Sequence, residues 1–165
     1  MKIEDLTTKI EEFKLTQDKI QKNREIWTSQ TKPILIETLG KIKEKFDLEW
    51  HVQILDEVKN SEGVNITFGF KRSGFKSVSD KTMRSYLKKG GTIVFSQAYN
   101  GEIFVIILYP FVEEFVSESD NKLLGKFDPL IINEDFIVEK VSTFIDEMIK
   151  WEKSTFYNRV GFKKN

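Results

Sequence analysis

Apolar side chains recur at alternating intervals of three and four residues at the start of the chain. The stripe consists of Ile3, Leu6, Ile10, Phe13, Ile20 and Trp27, with polar Gln17 and Arg24 at two of its positions. This spacing is typical of one face of an amphipathic helix. A straight helix over residues 3–29 is about 40 Å long, which is also about the diameter of a compact chain of this length. We therefore expect the segment 1–29 to project, to pair with another helix, or to break near 15–18, where Thr16 is a candidate N-cap.

Two further helices are indicated. Thr31 as N-cap and Pro33 in the first turn predict a second helix that ends near Phe46. Asn133 predicts the N-cap of a long third helix, whose stripe runs from Ile137 to Trp151.

Between the second and third helices the apolar period changes to two, which predicts strands. Strands are expected near 47–55, 63–71, 92–99 and 102–109. Asn100-Gly101 between the last two predicts a two-residue type I′ hairpin turn. Residues 103–108 are apolar on both faces, so this strand is expected centrally in the sheet, with helices over both sides.

The remaining segments carry weaker signals. Residues 80–88 suggest a short helix, residues 111–132 an acidic connection, and residues 153–165 a basic tail that frays. The sequence therefore predicts one α+β domain over 1–165, a four-stranded, mainly antiparallel sheet packed with two N-terminal helices and a long C-terminal one.

Composition excludes several kinds of chemistry. The chain has no cysteine and His51 is its single histidine, which removes disulfides, thiolate catalysis and zinc sites built from cysteines or two histidines. An all-oxygen Mg or Ca site stays open, but no metal ligand or cofactor is assigned. The acidic start lacks an export signal, and the longest apolar run, 103–112, is too short to span a membrane, so a cytoplasmic protein without a membrane partner is expected.

Residues 71–91 form a basic segment in a chain whose 26 Lys and Arg balance 26 Asp and Glu. Cations set among aromatic rings suit a nucleic acid, but the same residues also suit a solvated loop in a lysine-rich protein. Arg72-Ser73-Gly74 alone suggests either an anion pocket at a strand end or a tight turn. The candidate anion-binding residues are Lys71, Arg72, Ser73, Gly74, Lys76, Lys81, Arg84, Lys88 and Lys89.

Two catalytic patterns are weak. Asp47 followed by Glu57-Val58-Lys59 resembles the carboxylate and lysine motif of two-metal nucleases, but such spacing arises by chance in a chain with 32% charged residues. His51 beside Glu49 suits a base, but it also suits an exposed sheet face. We therefore assign no catalytic residue from the sequence.

The sequence favours a noncatalytic interaction module whose stripe binds a protein partner or a second copy, as in a homodimer, with the surface of residues 71–89 as a second contact. The same stripe suits equally well a first helix that folds back onto its own sheet. The first alternative is a nucleic-acid-associated protein that uses segment 70–89. The second is an Mg-dependent enzyme whose carboxylates the sequence does not identify.

Overall fold

A long continuous helix opens the fold in the computed structural model, which describes residues 1–57, 61–79, 82–113 and 120–154. A 3-10 turn at Ile3–Leu6 leads into α1 at Thr7–Ile26, and a π-helical turn at Trp27–Thr31 leads into α2 at Lys32–Lys45. The rod is about 65 Å long at 1.5 Å per residue. Thr16 donates its hydroxyl to the Glu12 carbonyl at 2.8 Å and begins no new helix, so the break considered near 15–18 is absent.

The π-helical turn explains how a proline fits inside this rod. Pro33 has no N–H to donate, and in an α-helix its ring would clash with the carbonyl of Ser29 four residues earlier. In the widened turn the Lys32 N–H instead bonds to the carbonyl of Trp27. Thr31 has helical backbone angles, and its hydroxyl donates to the Pro129 carbonyl at 3.2 Å. The predicted N-cap at Thr31 is therefore wrong, and the two predicted N-terminal helices are one.

Two antiparallel sheets follow the rod. The strands are β1 (His51–Leu55), β2 (Gly63–Thr67), β3 (Phe70–Ser79), β4 (Thr82–Lys89), β5 (Thr92–Gln97), β6 (Ile103–Leu108), β7 (Phe111–Val112) and β8 (Asn121–Phe127). A five-stranded sheet has the order β1-β2-β5-β6-β8, and a three-stranded sheet has the order β3-β4-β7. After a 3-10 turn at Pro129–Ile131, α3 occupies Glu134–Lys153.

The predicted α+β class is confirmed, but the strand count is not. The four predicted strands correspond to β1, β2, β5 and β6, which are neighbours in the larger sheet. The helix predicted at 80–88 is wrong, because β4 forms most of that segment. The connection predicted at 111–132 contains β7 and β8, while the segment 114–119 lies outside the described residues.

The β5–β6 hairpin is confirmed, but its turn type is different. Ala98 accepts a hydrogen bond from the Gly101 N–H at 2.9 Å, and its own N–H donates to the Glu102 carbonyl at 2.8 Å. The loop therefore has three residues. Neither Tyr99 nor Asn100 has the positive φ that a type I′ turn requires, and Gly101, with φ of +78°, closes the loop in the left-handed region.

The helices cover one face of the five-stranded sheet. Side chains from α2 and α3 join the inward residues of the sheet in a buried core of Trp27, Leu35, Leu39, Trp50, Val64, Ile66, Ile93, Phe95, Ile103, Val105, Ile107, Ile132, Ile137, Val141, Phe144 and Met148. On the opposite face of β6, Phe104 and Ile106 are only half-buried and Leu108 is exposed. The expectation of helices over both sides of this strand is therefore wrong. The expected interior position of β6 is confirmed, because β6 pairs with β5 on one side and with β8 on the other.

A buried carboxylate joins α3 to the sheet. Asn133 caps the helix as expected, accepting a hydrogen bond from the Phe136 N–H at 2.9 Å. Farther along, Glu147 is 8% exposed and accepts hydrogen bonds from the Tyr109 hydroxyl, from Lys122 at 3.2 Å and from Lys150 at 3.0 Å. The hydrogen bond from Tyr109 and those from the two lysines lower the pKa of Glu147 to about 2. Burial and the carboxylate raise the pKa of Tyr109 to about 12.

We predict that Glu147→Gln lowers the free energy of unfolding by about 1–3 kcal/mol at neutral pH, because it removes a buried, charge-assisted acceptor. The folded-state pKa of Glu147 lies below its ordinary value of 4.5, so the carboxylate stabilises the fold above that pH. This contribution is lost as the pH falls from 4.5 towards 2. Urea unfolding over this range measures the difference between the two proteins.

Glu139→Gln is the matched control on the same helix, because the Glu139 side chain is 69% exposed in its ion pair with Lys140. It should change the unfolding free energy by less than about 1 kcal/mol. Equal effects of the two substitutions, or a Glu147 effect that persists at pH 2, would contradict the assignment.

Candidate interaction site on the projecting helix

The N-terminal part of the rod extends beyond the body, and we call residues 3–22 the arm. Every side chain from residue 1 to residue 19 is exposed in the single chain. Ile3 is 84% exposed and Phe13 is 60% exposed, and Leu6 and Ile10 lie on the same stripe with 41% and 49% exposure. Ile20 is half-buried where the rod reaches the body, and Trp27 is buried in the core. The stripe predicted from the sequence included Trp27 in the interaction surface, and this part of the prediction is wrong because Trp27 belongs to the core.

The tip of the β5–β6 hairpin holds the base of the arm. A Cβ atom on Gly101 would lie only 2.4 Å from the Cβ of Asn23, so only glycine allows the turn to approach the helix this closely. The Asn23 amide donates to the Asn100 carbonyl at 3.4 Å. The Arg24 guanidinium donates to the Tyr99 carbonyl and lies 4.7 Å from the centre of the Tyr99 ring. These contacts fix the direction in which the arm leaves the body.

The π-helical turn supplies a second attachment. The Trp27 indole N–H donates to Glu62 at 3.1 Å, and the Lys32 ammonium lies 2.9 Å from the same carboxylate oxygen. These hydrogen bonds, first that of Trp27 and then that of Lys32, lower the pKa of Glu62. The first residue of the turn and the residue directly after it are therefore both attached to the segment that precedes β2.

An uncovered apolar stripe on a fixed helix is suited to bind another polypeptide. Contiguous exposed apolar surface that is flanked by polar residues marks interaction sites in soluble proteins. Here the stripe is narrow, with about two apolar positions per seven residues, as in the seam of a coiled coil. Lys9 and Lys14 are exposed along its two edges, while Glu11 and Glu12 are exposed farther from the seam.

The basic segment forms an antiparallel ribbon of β3 and β4 in which several lysines already have acidic partners. Lys71 lies 3.3 Å from Glu49, and Lys89 lies 2.9 Å from Glu113. Lys88 forms an ion pair with Glu152. Arg72 and Lys76 are exposed. These pairs reduce the positive charge that the ribbon offers to a nucleic acid.

The sequence suggested that a loop at the end of a strand contains Arg72, Ser73 and Gly74, and this suggestion is wrong. They lie within β3, where the pairing with β4 is irregular between Arg72 and Lys76. The Ser73 hydroxyl donates to the Tyr86 carbonyl at 2.6 Å, so it serves the ribbon itself. Gly74 has a φ of +86°, as expected at an irregularity of this kind.

Some of the sequence candidates fall outside the part of the chain that the structure describes. Lys81, Lys59 and the tail segment 155–165 lie outside the described residues, as does the side chain of Arg84. His51 is exposed at the start of β1, opposite Thr67 in the register.

A second apolar surface lies between the helices. An apolar groove of about 410 Å³ between the end of α2 and α3 includes Phe46, Leu48 and Val138. Leu48 also lines an adjoining groove of about 640 Å³. The lining of this second groove includes Ile149, Lys71 and Lys88. Sequence reasoning missed these grooves, because their residues come from segments that are distant along the chain.

Within the described ranges, no group of three or more His, Asp or Glu side chains is arranged to hold a metal ion. None of the helices described is both long enough and apolar enough to cross a bilayer. Comparison of the chain with protein-family models, curated proteins and solved structures yields no match.

The residues at the base of the arm were also missed from the sequence. Asn23, Arg24, Tyr99 and Gly101 are polar or turn residues, and they meet only because the hairpin reaches the helix. The sequence did offer one signal for this contact. Arg24 stands at a position of the stripe where the pattern otherwise places an apolar residue.

We predict that Gly101→Ala destabilises the protein by about 1–3 kcal/mol, because the added Cβ meets Asn23 and the backbone conformation disfavours alanine. Gly40→Ala in α2 is the matched control, since no atom lies within 4 Å of its added Cβ. It should stabilise the protein by about 0.5–1 kcal/mol through helix propensity. Thermal and urea unfolding measure both variants, and a neutral Gly101→Ala would show that the hairpin does not pack on the rod.

Proposed function

We propose that the chain is a noncatalytic protein-interaction module and that the arm is its docking element. The observation that supports this proposal is the exposed stripe of Ile3, Leu6, Ile10 and Phe13 on a helix whose base is fixed to a folded body.

Burial of the stripe supplies the free energy of binding. Each Ile, Leu or Phe side chain gains about 1.5–3 kcal/mol when it moves from full exposure to a buried site. The stripe residues are 41–84% exposed, so much of that gain is still available. A narrow seam of this kind packs against a second helix, whose side chains fit between its apolar residues.

Preorganisation supports the same role. An isolated helix of fewer than about 15 residues is marginal in water, because its first turn is costly to form. The arm avoids this cost because it continues a rod that Trp27, Thr31 and Leu35 already anchor in the body. A partner therefore meets a helix that is already formed, which reduces the entropy lost on binding.

The nucleic-acid interpretation of segment 70–89 has weaker support. Lys71, Lys88 and Lys89 lie beside carboxylates, so binding phosphates requires them to exchange these partners. The arm needs no such exchange, because its apolar side chains face solvent.

We predict that a benzoylphenylalanine at position 13, irradiated in native cells, forms a covalent adduct with a polypeptide that mass spectrometry identifies. Phe13 lies on the stripe and an aromatic replacement preserves its character. The matched control is the same substitution at Leu15, which is 68% exposed but lies on the opposite side of the helix.

The yield of adduct should be several-fold higher from position 13 than from position 15, because the probe reacts only with groups in contact. Equal yields from both positions, or no adduct from either, would contradict the proposed docking role.

A further inference from the structure

We infer that the occupant of the arm is a second copy of this chain, with the two arms packed antiparallel. This inference rests on the proposed function and adds the identity and direction of the partner. It is carried by the placement of charged residues beside the stripe and by the position of the hairpin.

The stripe assigns each arm residue a place in a heptad pattern. The core positions are Ile3, Ile10 and Gln17 in one set and Leu6, Phe13 and Ile20 in the other. The residues that border this seam are Thr7, Lys14 and Gln21 on one edge and Lys9, Thr16 and Asn23 on the other. Lysine is thus the charged residue on both edges. The acidic residues of the arm lie one step farther out and are Glu4, Asp5, Glu11, Glu12 and Asp18.

A parallel pair of arms is disfavoured by these charges. In a parallel, in-register coiled coil, an edge residue faces the opposite-edge residue five positions later in the other helix. Lys9 would therefore face Lys14 of the second copy, and the two-fold axis would repeat this contact. Like charges in such positions are destabilising.

An antiparallel pair removes this repulsion. When Ile3 lies opposite Ile20 of the second copy, Ile10 lies opposite Phe13. The remaining core pair joins Leu6 to the polar Gln17 of the second copy, so two of the three kinds of core pair are apolar. Lys14 then faces Thr7 and comes beside Glu11 of the second copy. By the same geometry, Lys9 faces Thr16 and comes beside Glu12. Each lysine therefore gains an acidic neighbour.

The body of the protein selects this register. The hairpin tip contacts the rod at Asn23 and Arg24, so a second helix has room on the stripe only up to about residue 22. With Ile3 of the second copy beside Ile20, its stripe ends just before the hairpin. A shift of one heptad towards the body would drive Ile3 of the second copy into the hairpin. A shift away would leave Ile20 without a core partner.

The absence of cysteine from the chain makes a direct test available. One chain carries Ile3→Cys and another carries Ile20→Cys, and the two are mixed and oxidised under mild conditions. A disulfide requires Cα atoms within about 7 Å, whereas positions 3 and 20 lie about 25 Å apart along one helix. The antiparallel pair predicts a disulfide dimer in the mixture, at a yield several-fold above that of either chain alone.

Each other result overturns the inference. A disulfide dimer of the Ile3→Cys chain alone would show parallel pairing. An absence of cross-linked product, together with a monomer mass in light scattering of the wild-type chain at high concentration, would show that the arms do not pair. If the arms do not pair, the benzoylphenylalanine experiment decides whether the proposed function survives. An adduct between position 13 and a different protein would preserve the proposed function, whereas the absence of any adduct would contradict the proposed function as well as this inference. Unchanged circular dichroism of the cysteine variants confirms that they fold.

Discussion

A helix that is unbroken from Ile3 to Lys45 is longer than the body on which it packs, and the rest of the structure follows from this. At 1.5 Å per residue the rod measures about 65 Å, against about 40 Å for a compact chain of this size. Its C-terminal part is buried against the sheet through Trp27, Leu35 and Leu39. Its N-terminal part extends beyond the sheet, which is why an apolar stripe faces solvent.

Two features keep the rod unbroken and fix its direction. One is the turn that makes room for its proline, and the other is the hairpin that packs against the base of the arm. The π-helical turn before Pro33 widens the helix enough for the proline ring, and it directs Trp27 and Thr31 into the body. The hairpin tip at Gly101 then contacts the rod a turn earlier. A sheet that holds the helix at two places sets the direction of the arm, so the stripe is presented for binding in a defined orientation.

The extent to which the sequence predicts the structure depends on whether a segment has a buried face. The strands β2, β5 and β6 each send apolar side chains into the core at every second position, so their periodicity identifies them. The arm differs, because its stripe shows a helical period although it faces solvent in the single chain. In β4, Met83 and Ser85 are both exposed. In the edge strand β8, Lys122 and its neighbour Leu123 are both exposed. Neither strand therefore shows an apolar period of two. Pro33 indicates a helix start in the sequence, because a π-helical turn has no recognised sequence pattern. The stripe residues were found from the sequence, but their exposure depends on where the sheet ends.

The distance between the two ends of the rod tests this account most directly. Spin labels on cysteines introduced at Thr8 and Lys43, both exposed, report this distance by pulsed electron spin resonance, with unlabelled chain added to dilute contacts between copies. The continuous helix predicts a narrow distribution centred at about 50 Å. A distribution below about 35 Å would show that the rod bends back at Trp27–Thr31, which would place the stripe on the body and contradict the account.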